Sequence, residues 1–411
     1  MGSHGSIVFI SAVLFGQVFI SVFSTSFGLE NRYFMLIFRG CLAAYSSYVV
    51  LYALRTSKKL FSNGFVLSIC SFWACYFFRL IWDFWIVGIN LKLPLWEFFA
   101  WGLGSCFLPA LAGFILSSQH SRKVTAFAIS SLGLLLLGLA SIAFLANVGL
   151  ESPRFMLKDL NPINASHAFF ALSLTGLSSL FWSARNAVSR LLSLSAFAFG
   201  FAMGIYAGSR GAFLSFVIAS FVLVFLFAKD CERKAVMLAC LALASFISLV
   251  AFIKSDFSLR LLSSGFDNNS LMRLSAIRES FNNFWLYPWT GVGFELHNNI
   301  EDLSSQVFNG LSIWYPHNFV AEAMGLGGLL LIVPFLVCLW FAFTALGVLK
   351  GGNSEYWRIA LLIQGLGFCM FSGHLSNVPM FWVCLGIAAS SSNASLDKCK
   401  FDVYHDRVRP K

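Results

Sequence analysis

Apolar runs of about 18 residues or more recur along the chain, separated by short polar connectors. As helices, such runs are long enough to cross the hydrocarbon core of a membrane. The pattern predicts twelve spans, at 6–27, 33–54, 62–88, 97–117, 125–148, 167–184, 191–209, 211–228, 235–253, 319–349, 359–374 and 377–391. The runs are continuous and do not alternate, which argues against an outer-membrane barrel. In lipid a helix pairs its backbone donors and acceptors internally, so helices are favoured over irregular chain. The first run, Ser6 to Phe27, lacks a basic flank and is too long for a signal core, so it reads as a retained helix.

Composition agrees with the pattern. Of 411 residues, 58% are hydrophobic and only 11% are charged, and the mean hydropathy is +0.78. A soluble domain of this size is excluded. The net charge of +10 would raise nucleic-acid binding for a soluble chain, but here the basic residues set topology. One set of connectors holds Arg55, Lys58 and Lys59; Arg122 and Lys123; Arg185 and Arg190; Lys229, Arg233 and Lys234; Lys350 and Arg358; and a tail with Lys398, Lys400, Arg407, Arg409 and Lys411. The opposite short loops hold only Arg32, Lys92, Arg154 and Lys158. Both termini are therefore expected to be cytoplasmic. The ten cysteines avoid the two main outer loops, so no structural disulfide is expected, and no pair has zinc-ligand spacing.

The expected fold is all-α: a polytopic integral membrane protein of about twelve transmembrane helices, with one large periplasmic loop between helices 9 and 10. Residues 1–253 carry membrane helices 1–9, 254–316 the loop, 317–392 helices 10–12, and 393–411 a basic cytoplasmic tail. A polar loop that long in a compact membrane protein is usually functional. It contains a helical stretch around Met272 to Phe284, followed by a turn at Tyr287-Pro288-Trp289-Thr290-Gly291-Val292-Gly293. No internal repeat is evident, which lowers a transporter reading.

The candidate chemistry lies at the outer ends of the spans. His317, in Tyr315-Pro316-His317-Asn318, stands at the mouth of a predicted helix. It reads either as a base beside an anion site or as a helix-entry residue, with Asn318 as the cap. Ser209-Arg210-Gly211 separates two apolar runs so briefly that they must form a tight hairpin. Arg210 is then pinned at the membrane surface, as an anion ligand or as a snorkelling anchor. Arg260, Arg273 and Arg278 lie in the large loop, and guanidinium forks suit phosphate oxygens. Arg273 and Arg278 share a helix face poorly, so one of them is expected to point inward. Arg154, Lys158 and Asn161-Pro162-Ile163-Asn164 offer a second anion or sugar contact, or a plain turn. Arg79 and Asp83, four apart within a span, read as a structural ion pair ahead of a functional one. Glu322 either orients the site or lines a wet cavity. No metal-binding Asp-x-Asp pair, phosphate-cradling glycine loop or zinc helix is present. No metal, nucleotide or other cofactor is expected.

Together these pieces resemble the O-antigen ligase and polymerase superfamily of bacterial membrane glycosyltransferases. Ser209-Arg210-Gly211-Ala212 is similar to its Ser-Arg-Gly segment. Arg273 followed by Pro288 and Gly291-Val292-Gly293 is similar to its arginine and Pro-x-x-Gly-x-Gly. His317-Asn318 followed by Gly328 is similar to its His-Asn…Gly pattern. Met272, where the family often has Gly, and Leu331, where ligases often have a small or aromatic residue, depart from it. The resemblance implies an inner-membrane enzyme acting at the periplasmic face. It would transfer a glycan from undecaprenyl pyrophosphate to lipid A–core, inverting and without a metal, among membrane lipids and with no nucleic acid. In that chemistry His317 is the expected base and Arg210 and Arg273 the expected catalytic pyrophosphate ligands, while Arg278, Asn318, Arg154 and Arg260, singled out from the residues themselves, are the further candidate substrate contacts. A surface-polysaccharide polymerase using a lipid-linked acceptor is the alternative within the superfamily, with a protein-directed oligosaccharyltransferase sharing the remaining room. From other classes, a polysaccharide or lipid transporter and a membrane scaffold are the rivals.

Overall fold

Helix starts in this chain are written locally. Asn63, Asn161, Asn186 and Ser209 each accept a backbone N–H from the first turn that follows, satisfying donors that a helix leaves orphaned. The computed structural model describes residues 3–56, 60–119, 125–148, 155, 160–224, 268–307, 313–347 and 355–390. Among these, besides a short 3-10 turn at Leu60–Ser62, the chain forms thirteen helical elements and no strand. They are α1 (His4–Ser26), α2 (Asn31–Thr56), α3 (Gly64–Val87), α4 (Leu95–Ser118), α5 (Ala126–Val148), α6 (Pro162–Trp182), α7 (Ala187–Ala207), α8 (Arg210–Val222), α9 (Asn268–Leu286), α10 (Glu295–Val307), α11 (Phe319–Gly347), α12 (Trp357–Phe371) and α13 (Pro379–Ala389).

Seven of these, α1–α5, α7 and α11, are long and apolar enough to cross a membrane. Helices α8, α12 and α13 are apolar but shorter. The 11 residues of α13 rise only about 17 Å, short of the hydrocarbon thickness. Ten of them are buried, so protein and not lipid surrounds that helix. The expected span 235–253 lies outside the described residues, as does 211–228 beyond residue 224; the other expected spans fall on helices, not all of them long enough to cross a membrane.

Small residues bring α6 and α7 together. Ser173 Oγ donates to the carbonyl of Phe197 (3.0 Å), Ser166 Oγ to that of Gly204 (2.9 Å), and the hydroxyls of Ser179 and Ser193 meet at 2.7 Å. Such contacts hold helices together in lipid, where apolar burial offers little drive. The N-terminus of α8 packs on the C-terminal end of α12. There Gln364 Nε2 donates to the carbonyl of Ala212 (3.2 Å) and lies 2.9 Å from His167 Nδ1. Helix α3 packs along α11, and α9 along α11 as well. Trp82 and Trp85 are exposed at the end of α3, and Trp285, Tyr287 and Trp289 at the end of α9 and in the turn after it, as aromatic residues are at a membrane–water boundary.

Candidate functional site

Helix α11 is broken at Gly328, whose φ of 56° and ψ of −141° are not helical. Only glycine tolerates that region without strain. A break inside lipid leaves backbone groups that must find partners, and the Pro-x-x-Gly-x-Gly segment supplies them. The N–H groups of Leu329 and Leu330 donate to the carbonyls of Pro288 (2.8 Å) and Trp289 (3.2 Å). In return Val292 and Gly293 donate to the carbonyls of Gly325 (2.9 Å) and Leu326 (3.0 Å). A Cβ on Gly291 would run into the backbone of Gly325–Gly327. The two motifs, remote in sequence, are thus one locked unit.

Asp83 secures that unit to α3. Its Oδ2 accepts from Arg79 Nε (2.9 Å) and from the N–H of Phe294 (2.7 Å). The structural reading of the Arg79–Asp83 pair agrees with this geometry. Beside it an apolar cavity of about 420 Å³ is lined by Phe78, Trp82, Leu330 and Leu331, with Arg79 and Thr290 as polar members; neither His317 nor Arg210 nor Arg273 lines it.

The candidate catalytic groups converge elsewhere, on the carbonyl end of α12. Arg273 Nη1 donates to the carbonyl of Phe371 (2.8 Å). His317 Nδ1 lies 3.3 Å from the carbonyl of Ser372, and Asn318 Nδ2 donates to that of Met370 (3.4 Å). Gly211, next to Arg210, packs on the Phe371 side chain. Three consecutive carbonyls therefore hold an arginine, a histidine and an asparagine in register, with the first turn of α8 alongside. Asn318 also caps α11 as expected, accepting from the N–H of Ala321 (3.0 Å).

A carbonyl only accepts, so His317 Nδ1 carries the proton and Nε2 of the neutral ring keeps its lone pair. Among the described residues His317 is the only non-glycine with positive φ, at 54°. Strain of that kind gathers at functional sites. Burial, and secondarily the Arg273 charge, pushes its pKa down to about 4, against a smaller opposing pull from the Ser372 carbonyl. Tyr315 packs against it with ring centroids 4.0 Å apart. Burial pushes the Tyr315 hydroxyl up to about 12, so it stays protonated. A partly exposed neutral imidazole beside guanidinium groups can take a proton from a hydroxyl while the arginines hold an anion.

The hairpin at Arg210 has the expected form. Gly208 closes α7 with φ 76°, and Ser209 caps α8. Arg210 is exposed at its first position. Arg278 is exposed on α9 and is not brought to the Phe371–Ser372 carbonyls. Arg154 and Arg260 lie outside the described residues. Sequence reasoning missed α10, the receiving carbonyls of α12, and a buried group of His297, Glu322 and His374, which has the makings of a metal-ligand set. The absence of a metal motif along the chain thus does not carry over to three dimensions.

Residues 195–336 match the family model described as O-antigen ligase. That segment takes in the Arg210 hairpin, Arg273, the Gly291–Gly328 lock and His317. No curated protein matches the chain.

Proposed function

We propose that this chain, whose residues 195–336 match the family model described as O-antigen ligase, is an O-antigen ligase. In this reading it moves a glycan from undecaprenyl pyrophosphate to lipid A–core in the outer leaflet of the bacterial inner membrane. The observation that carries the reading is the pairing of His317 with Arg273 on neighbouring carbonyls of α12. It sets an imidazole lone pair beside a fixed cation.

The acceptor hydroxyl gives its proton to His317 Nε2 as its oxygen attacks the anomeric carbon. The bond from that carbon to the pyrophosphate oxygen breaks, with inversion. Negative charge grows on the leaving pyrophosphate, and Arg273 and Arg210 stabilise it from fixed positions in a poorly hydrated site. Asn318 holds the His317 backbone at the start of α11. No metal is assigned to the reacting centre. Exposed Arg278 is an outlying contact for the glycan, and Arg154 and Arg260 are further candidate contacts.

The test is transfer by purified protein supplied with undecaprenyl-pyrophosphate glycan and lipid A–core in detergent. Glycan on the core supports the ligase. Longer lipid-linked glycan with an unmodified core would make the protein a polymerase. No transfer by folded protein with several donors would turn attention to transport.

A further inference from the structure

His297 on α10, Glu322 on α11 and His374 between α12 and α13 come from distant parts of the chain and meet in the interior. All three are buried, at 1%, 0% and 4% exposure. His374 Nε2 lies 3.0 Å from Glu322 Oε1, and His297 Nε2 lies 3.8 Å from the same oxygen. The three donor atoms all fall within 4.8 Å of one another. None of them has a hydrogen-bond partner elsewhere, although buried polar atoms are nearly always paired. We propose that His297, Glu322 and His374 bind a divalent transition-metal ion of the zinc class, which ties α10, α11 and the α12–α13 turn together under the His317 segment.

Zinc bonds of about 2.0–2.2 Å in tetrahedral geometry separate neighbouring ligand atoms by roughly 3.4 Å. The two observed separations bracket that value. A shared proton between His374 and Glu322 would account for one edge and leave His297 Nε2 facing a carboxylate without a bond. A cation satisfies all three atoms at once. Behind the ligands, Glu322 Oε2 is held by the N–H of Leu375 (3.1 Å), and His374 Nδ1 is anchored by Ser376, whose N–H (3.3 Å) and Oγ (3.0 Å) both reach it. Outer partners of this kind fix ligand orientation. Two imidazoles and one carboxylate favour zinc or a similar ion over magnesium or calcium, which prefer oxygen-only shells.

The ion's place is structural. Trp314 packs against both histidines at ring-centroid distances of 5.0 Å, and Tyr315 lies 5.3 Å from His374. These residues immediately precede His317, so the ion would brace the strand of chain that presents the base. The inference goes beyond the ligase reading, and its readout is metal content, which transfer activity does not affect.

Full-length protein in detergent would be stripped with a chelator, dialysed against zinc, and measured by elemental analysis. About one zinc per chain is expected, falling to background in His297→Gln and Glu322→Gln. Cobalt added to the stripped wild-type chain should give the intense visible bands of a low-symmetry nitrogen–oxygen site and lose them on adding zinc. That arm needs no variant and survives if the variants fail to fold. Folded wild-type protein with no zinc above background overturns the proposal, and so does undiminished zinc in both folded variants. A weak, all-oxygen cobalt spectrum would overturn it as well.

Discussion

His317 Nδ1 faces the carbonyl of Ser372 at 3.3 Å, and that contact decides which ring nitrogen is free. A base must present its lone pair to the acceptor and its proton to the protein. The backbone of residue 372, which mutation of its side chain cannot remove, enforces that tautomer. Replacing Ser372 by Ala should therefore leave transfer within a few-fold of wild type, measured as initial rate at saturating donor.

Because burial and the Arg273 charge push His317 down to about 4, its neutral, proton-accepting form persists well below the ordinary histidine range of about 6.5. The free-enzyme rate should hold as pH falls through 6 and decline only towards about 4. Arg273→Gln removes one lowering influence and should move that decline to higher pH. The same shift has a stability consequence. Between about 6.5 and 4 the unfolded chain binds a proton at this residue that the folded chain does not, so stability is full above that window and falls through it on acidification. Rate–pH profiles and thermal unfolding across the window check both.

Arg273 Nη1 donates to the carbonyl of Phe371, and its planar guanidinium has the fork geometry that suits phosphate oxygens. Lysine cannot do both. Arg273→Lys should lower kcat by about 10²–10³-fold, the scale for removing one charge-stabilising donor. An unchanged melting temperature would separate that loss from misfolding.

Gly328→Ala should destabilise the fold. Its φ of 56° with ψ of −141° is costly for any Cβ, by roughly 1–3 kcal/mol, and the Cβ would also meet the carbonyl of Pro288. Unfolding in detergent reads the loss directly. A melting temperature equal to wild type would mean that the lock between α11 and the Gly291 segment is not formed.

Asp83→Ala leaves Arg79 without its partner and strips the Phe294 N–H of its acceptor. Removing one member of such a pair costs about 3–5 kcal/mol. The turnover of protein that stays folded should be near wild type, since Asp83 secures the loop and does not touch the Phe371–Ser372 carbonyls. Loss of function in Arg79→Ala with a silent His317→Ala would instead favour a transporter.

Much of this was legible along the chain. Apolar runs revealed the helices, and the brief Ser209-Arg210-Gly211 break between two of them revealed the hairpin, because breaks of this kind act locally. The motifs carrying Arg273, Gly291 and His317 were recognisable by type. Their physical link was not, since the break at Gly328 shows only when Pro288 and Trp289 are seen filling it. The receiving carbonyls of Phe371 and Ser372 are backbone groups and leave no mark in residue identity. His297 and His374 lack any spacing that announces ligands, because only the packing of α10, α11 and the α12–α13 turn brings them together.

The most direct measurement is glycan transfer to lipid A–core by purified wild-type protein and by His317→Ala, with circular dichroism on both. The account predicts core-linked glycan from the wild type and a drop of about 10²-fold or more in the variant, the range for losing a positioned base, at unchanged helicity. Undiminished transfer by His317→Ala would contradict it.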